Sequence, residues 1–126
     1  MNQNGERRKF RRFEIPGGKI RYRKNSGASK LKKFSREYQL LNMSLGGLQI
    51  LCDSEFRYGE EIVLQIQVPK EREIILYSKV VWQKPVALSN DIVVGFEFNT
   101  FGQGKGLNPP EIMNVLRRLY ARYMES

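Results

Sequence analysis

A chain of 126 residues and 14.8 kDa is one ordinary domain, with 40% hydrophobic and 28% charged residues in a globular balance and a net charge of +9. It contains no apolar run near the roughly 20 residues of a membrane span, and Met1–Glu6 enters a basic cluster with no secretory apolar segment, so a cytoplasmic protein is expected. Histidine is absent and Cys52 is the only cysteine, which removes histidine acid/base catalysis, Ser-His and Cys-His pairs, Cys/His zinc sites and internal disulfides. Carboxylate, Lys or Tyr chemistry survives this cut, but the expectation is a binding protein with no metal, no cofactor and no enzyme activity.

Charge is concentrated at one end. Residues 1–37 hold 13 Lys/Arg against Glu6, Glu14 and Glu37, a net +10, while residues 38–126 are close to neutral at −1. An anionic partner met by the N-terminal region is implied: nucleic acid, an anionic membrane or a phosphorylated small molecule. A solvated basic tail is the plain alternative.

Residues 1–12 are polar and charged apart from Met1 and Phe10, and read as a flexible basic arm. Phe13 and Ile15 alternate before Pro16-Gly17-Gly18, and Ile20 and Tyr22 after it, giving an extended segment with a break at the glycines. Lys24–Lys33 reads as a loop. Glu37–Leu41 and Leu48–Cys52 read as two short strands around a glycine-bearing turn. Ile62, Leu64, Ile66 and Val68 alternate strictly, Ile74, Leu76, Ser78 and Val80 nearly so up to Trp82, and Ile92, Val94, Phe96 and Phe98 strictly again. Five or six short strands with no helix between them predict an antiparallel barrel or sandwich.

Gly102–Gly106 reads as a flexible linker; it lacks the spacing of a phosphate loop. Asn108-Pro109-Pro110-Glu111 then supplies a cap, a first-turn proline and a glutamate three residues after the cap, predicting a helix over about 109–124. Ile112, Val115, Leu116, Leu119, Tyr120 and Tyr123 fall on one face, which is expected to pack on the barrel. Trp82 and Cys52 are expected in the core. Asp53, Glu55, Glu60, Glu61, Glu71 and Glu73 read as surface with no paired geometry.

Two clusters carry chemistry. In Arg7-Arg8-Lys9-Phe10-Arg11-Arg12, four of the five cations are Arg, whose planar fork matches phosphate oxygens and the O6/N7 edge of guanine. Asn42-x-Ser44-x-x-Gly47 sits between two strand signals. Its plain reading is a hairpin turn, with Asn and Ser bonding nearby backbone and glycine at positive φ. The functional reading places an amide and a hydroxyl on a barrel rim to meet a nucleotide, with glycine allowing close approach.

Together these clusters resemble the PilZ domain, the bacterial receptor for cyclic di-GMP, which carries an N-terminal RxxxR and later a D/N-x-S-x-x-G. Arg8 to Arg12 fits the first motif and leads straight into Phe13-Glu14-Ile15; Arg7 to Arg11 fits the spacing as well. Asn42-Met43-Ser44-Leu45-Gly46-Gly47 fits the second. Val80-Val81-Trp82, Gly95-Phe96-Glu97-Phe98 and the C-terminal helix look like the family's later elements, so the resemblance covers nearly the whole chain. It implies an all-β-dominated fold: a six-stranded antiparallel β-barrel, PilZ-like and split-barrel, over 13–126, with a C-terminal α-helix. The resemblance assigns cyclic di-GMP to Arg8 and Arg12 as phosphate and guanine clamps, to Asn42 and Ser44 at the guanine edge, and to Gly47 as the residue that allows the ligand close approach. Lys9, Arg11, Gly46 and Trp82 are further candidate contacts. Arg7 resembles the extra arginine of members that take a stacked, intercalated dimer of cyclic di-GMP. The arm is expected to order over the ligand and present a new surface to an unidentified downstream protein, with monomer as the preferred state. Two rivals remain: a basic barrel binding nucleic acid, and a PilZ-like adaptor acting by protein contact alone.

Overall fold

The architecture is that of a computed structural model, which describes residues 11–25 and 33–124. The alternating segments form strands β1 (Lys19–Lys24), β2 (Tyr38–Met43), β3 (Gly47–Cys52), β4 (Glu61–Gln67), β5 (Ile74–Pro85) and β6 (Ile92–Phe98). They close into an antiparallel barrel in the order β1-β2-β3-β6-β5-β4. The expected six-stranded barrel with one C-terminal helix is therefore the fold. The expected Phe13–Ile15 extension is a single backbone bridge, Phe13 to Met43, that adds to the open flank of β2.

Period-2 alternation puts one side chain in two inside the barrel. Ile20, Ile50, Ile62, Leu64, Ile66 and Leu76 are fully buried there, and each contributes about 1.5–3 kcal/mol of transfer free energy. Cys52 is buried as expected. Trp82 is not in the core. Its parity matches inward-facing Val80, but the register of β5 against β6 shifts between Val80 and Trp82, and that bulge turns the indole outward. A second bulge, between Leu40 and Asn42, acts on β2 in the same way: Leu40 and Met43 point inward and Asn42 faces out.

Helix α1 (Pro110–Met124) starts one residue later than the sequence predicts. Leu116 and Leu119 are buried, and Ile112, Val115, Tyr120 and Tyr123 pack against the barrel core as expected. The Phe13 ring meets Tyr120 edge-on, with centroids 5.7 Å apart, so the segment entering the barrel and the helix share one contact. Glu71 corrects the reading of isolated surface acids. Its side chain is only 8% exposed and receives hydrogen bonds from Arg118 at 2.7 Å and Arg122 at 3.1 Å, tying the helix to the β4–β5 connection. Asp53 is likewise paired, with Arg36 at 2.6 Å.

Asn108 does not cap the helix. Its side chain is fully buried: Oδ1 accepts from Tyr77 N at 2.7 Å, and Nδ2 donates to Tyr77 O and Asn99 O, each at 2.9 Å. The amide stands in for a strand residue beside β5 where β6 has ended. Gly102–Gly106 is not a free linker either, because Gly102 N donates to Asn108 O and Leu107 N to Gly104 O. Among the described residues, no helix is long and apolar enough to cross a membrane.

Candidate functional site

The Phe13–Met43 bridge joins the two motif regions. Phe13 N donates to Met43 O at 2.8 Å and Met43 N to Phe13 O at 2.9 Å, and both side chains point into the core. Their outward neighbours, Arg12 and Asn42, are consequently brought side by side, and Arg12 Nη1 donates to Asn42 Oδ1 at 3.4 Å. That length is at the weak end of a hydrogen bond, so an anionic or carbonyl ligand could replace it at little cost.

Asn42 is also held from its other side, where Nδ2 donates to Gln49 Oε1 at 3.1 Å. Gln49 lies opposite Asn42 on β3, Gly95 opposite Gln49 on β6, and Trp82 opposite Gly95 on β5. One row thus crosses the outer barrel face from Arg12 to Trp82. Gly95 lets the indole lie on the sheet, because a Cβ there would fall 2.4 Å from the indole Nε1. Adjacent strands lie about 4.8 Å apart, so Asn42 and Trp82 are separated by about 14 Å at the backbone, and the indole reaches back across Gly95 to shorten the gap. A polar end with an arginine and an aromatic end with an open face can grip a base and phosphate between them.

The Asn42–Gly47 turn accounts for the rest of the second motif. Ser44 Oγ accepts from Gly46 N at 3.1 Å and makes a long 3.5 Å contact to Gly47 O, while Ser44 N donates to Gly47 O at 2.8 Å. Serine therefore shapes the turn, as the plain reading expects, whereas Asn42 bonds side chains across strands. Gly46 O accepts from Phe98 N at 2.9 Å, fixing the turn on β6. Gly47 is required for close packing rather than for a positive φ: a Cβ would sit 2.1 Å from the Phe96 carbonyl oxygen. Its fit is to the neighbouring strand.

Of the residues assigned from sequence, Arg12, Asn42, Ser44, Gly46 and Gly47 come together, and Trp82 lies in the same row. Arg11 is exposed beside Arg12. Arg7, Arg8 and Lys9 lie outside the described residues. Sequence reasoning missed Gln49 and the role of Gly95. Strand alternation around buried Leu48 and Ile50 marks Gln49 as outward, and glycine inside a strand marks a close approach.

The clearly shifted titratable groups lie elsewhere. On β1 and at the far ends of β2 and β3, burial pushes the Tyr22 and Tyr38 phenols and the Cys52 thiol up, while Arg36 holds the Asp53 carboxyl below its ordinary value. In the helix clamp, hydrogen bonding to Arg118 lowers Glu71. Among the described residues, no group of three or more His, Cys, Asp or Glu is placed to hold a metal ion.

A closed six-stranded barrel with a polar, arginine-flanked rim and a helix packed on its core is a barrel of the PilZ kind. The PilZ domain family model matches residues 6–106, and the chain belongs to that family. Its fold is similar to the inhibitor of motility MotI/DgrA of Bacillus subtilis, with TM-score 0.65 and 18% identity over 91% of this chain and 50% of that one. The chain thus spans half the length of that protein. It is also similar to the PilZ domain of Escherichia coli YcgR, solved with c-di-GMP, with TM-score 0.62 and 16% identity over 94% of this chain and 92% of that one. A comparison with curated proteins gives no match.

Proposed function

We propose that this chain is a receptor for cyclic di-GMP in bacterial second-messenger signalling. The observation that carries the reading is the Phe13–Met43 bridge, which makes the RxxxR arginine Arg12 and the Asn42-x-Ser44-x-x-Gly47 turn parts of one surface. Family membership and the similarity to a YcgR domain solved with c-di-GMP support the same ligand. Arg8 and Arg12 clamp phosphate and guanine, Asn42 meets a guanine edge beside the Ser44 and Gly47 turn, and Trp82 offers a stacking face. Arg7 adds charge for a second, stacked ligand molecule, with Lys9, Arg11 and Gly46 as flanking contacts. Residues 1–12 act as the arm that orders over the nucleotide, the ordering entropy being offset by charge-assisted hydrogen bonds. The ordered arm presents a new surface to a downstream protein. Binding is the whole reaction, and the working form is a cytoplasmic monomer.

Calorimetric titration of cyclic di-GMP at physiological salt, with cyclic di-AMP and GTP as controls, tests the reading. Saturable, micromolar or tighter binding of cyclic di-GMP alone is expected, with a ratio near two if Arg7 supports a dimer. Arg8→Ala and Arg12→Ala should each weaken binding at least about tenfold, as expected for loss of a charge-assisted bond of about 1.5–3 kcal/mol. A wild-type protein that gives no heat with cyclic di-GMP refutes the receptor assignment.

A further inference from the structure

On the side of Asn42 away from Trp82, β1 and β2 are joined by only two register pairs, Lys19 to Gln39 and Ile20 to Tyr38. There a cleft of about 300 Å³ opens, lined by residues 14–19 and 39–41. One wall is the turn Ile15-Pro16-Gly17-Gly18, in which Gly18 N donates to Ile15 O at 2.9 Å and Gly17 takes φ +80°. Proline followed by a positive-φ glycine is the type II arrangement, which holds its shape before any ligand arrives. That wall is bare at Gly18, where a Cβ would fall 2.9 Å from the Leu40 side chain. The Pro16 ring and half-buried Leu41 supply apolar surface for a flat ring.

The rim is polar and uncommitted. Glu14, Lys19 and Gln39 are exposed, and among the described residues none of their side chains takes part in a hydrogen bond or ion pair. A carboxylate accepts only and an ammonium donates only. Set around one cleft without neutralising each other, they match an edge with adjacent donors and a neighbouring acceptor. Guanine presents that edge in N1–H, the 2-amino group and O6. Adenine replaces the N1 donor with an acceptor, which would face the Glu14 carboxylate repulsively.

We infer that this cleft is a guanine-recognising subsite, with Glu14 as the residue that sets base specificity. The inference rests on the receptor reading and deepens it. Glu14 lies two residues after Arg12 in extended chain, about 6.6 Å along it, and Leu41 adjoins Asn42. Cyclic di-GMP carries two guanines, so one can stack between Asn42 and Trp82 while another enters the cleft.

The test titrates the full chain with cyclic di-GMP and with cyclic di-IMP, whose hypoxanthine bases lack only the 2-amino groups. Wild type should prefer cyclic di-GMP at least about tenfold, because a site built around a donor rejects the analogue lacking it. Glu14→Gln and Glu14→Ala should weaken cyclic di-GMP at least about tenfold and bring the two ligands within about twofold, with an unchanged urea midpoint. Arg12→Ala should weaken both ligands equally. Glu14 variants that keep the wild-type preference overturn the subsite while leaving the receptor reading intact. A wild type that binds neither ligand overturns both.

Discussion

A methyl group at position 95 tests whether the outer face of the barrel is built to seat Trp82. In Gly95→Ala the new Cβ would lie 2.4 Å from the indole Nε1, 2.6 Å from Cε2 and 2.9 Å from Cδ1. Heavy atoms in comfortable contact stand about 3.5–4.0 Å apart, so the ring has to retreat by about 1 Å or tip off the sheet. Partly buried Trp82 has solvent on its outer side and can swing, which keeps the stability cost near the lower end of the about 1–3 kcal/mol typical of overpacking. The ligand loses more. Base–aromatic stacking contributes about 1–3 kcal/mol per base, equivalent to about 5-fold to 150-fold in affinity, and Trp82→Ala should show this loss in full. Gly95→Ala should show a smaller loss in the same direction. Trp82 is the only tryptophan, so its emission reports on the platform without a label. The substitution should shift the emission to the red, lower the urea midpoint slightly and weaken cyclic di-GMP binding. Gly95→Ala and Trp82→Ala proteins with wild-type affinity would refute the platform, whatever their emission.

Gly47→Ala should be more damaging, because its Cβ meets the Phe96 backbone oxygen at 2.1 Å and β3 and β6 must part to admit it. A loss of about 3 kcal/mol in chemical denaturation is expected, and a wild-type midpoint would contradict the close packing. Asn108→Ala removes three part-buried hydrogen bonds and leaves the Tyr77 amide and the Asn99 carbonyl without them, while Tyr77 O keeps its bond from Asn99 N. At about 1–3 kcal/mol for each buried group left without a partner, urea unfolding should show a loss of at least about 2 kcal/mol; an exposed-site effect near zero would mean that water replaces the amide. Arg118 and Arg122 hold the Glu71 carboxyl below its ordinary value of 4.5, so the clamp stabilises the fold above that pH and fades as pH falls through the lowered folded value. Glu71→Gln should therefore melt at a lower temperature than wild type at pH 7, with the gap narrowing as pH falls below 4.5; a constant gap would assign the effect to packing alone.

Much of the barrel is legible because its strands have one wet face. The inward set Ile62, Leu64, Ile66 and Val68 and the set Val94, Phe96 and Phe98 become the core faces of β4 and β6, with Val63 the one outward β4 residue that is also buried, and the one-sided apolar stripe from Ile112 to Tyr123 becomes the packed face of α1. What stayed hidden depends on partners far along the chain. Glu71 meets Arg118 and Arg122 from 47 and 51 residues away, and nothing in its neighbourhood announces them. Asn108 stands before two prolines and a glutamate, where every local signal reads as a cap. The Tyr77 peptide, 31 residues earlier, competes for the same amide with a donor and an acceptor together, and this pairing wins because the Asn108 side chain is fully buried beside it and must be satisfied there.

The site residues illustrate a different limit. By parity, Asn42 belongs with inward-facing Leu40, and Trp82 with inward-facing Val80; each is turned outward by one extra residue, at Leu41 and at Val81. A single-residue insertion leaves no mark on composition and reverses the face of everything beyond it. The sequence nevertheless holds a physical clue at Asn42. Burying its amide unpaired among Leu40, Met43 and Leu48 would cost several kcal/mol, roughly 2–7, whereas a bulge forfeits about one ladder hydrogen bond, a net loss of about 0.5–1.5 kcal/mol. A polar residue at an inward parity, one step before an apolar one at the opposite parity, is thus a forecast of a bulge between it and the last buried residue. Applied to β2, that rule puts Asn42 on the outer face and Met43 in the core, which is the arrangement that sets Asn42 against Arg12. Trp82 offers no such penalty, since an indole is content on either face, and only Gly95 opposite it records that the ring lies outside.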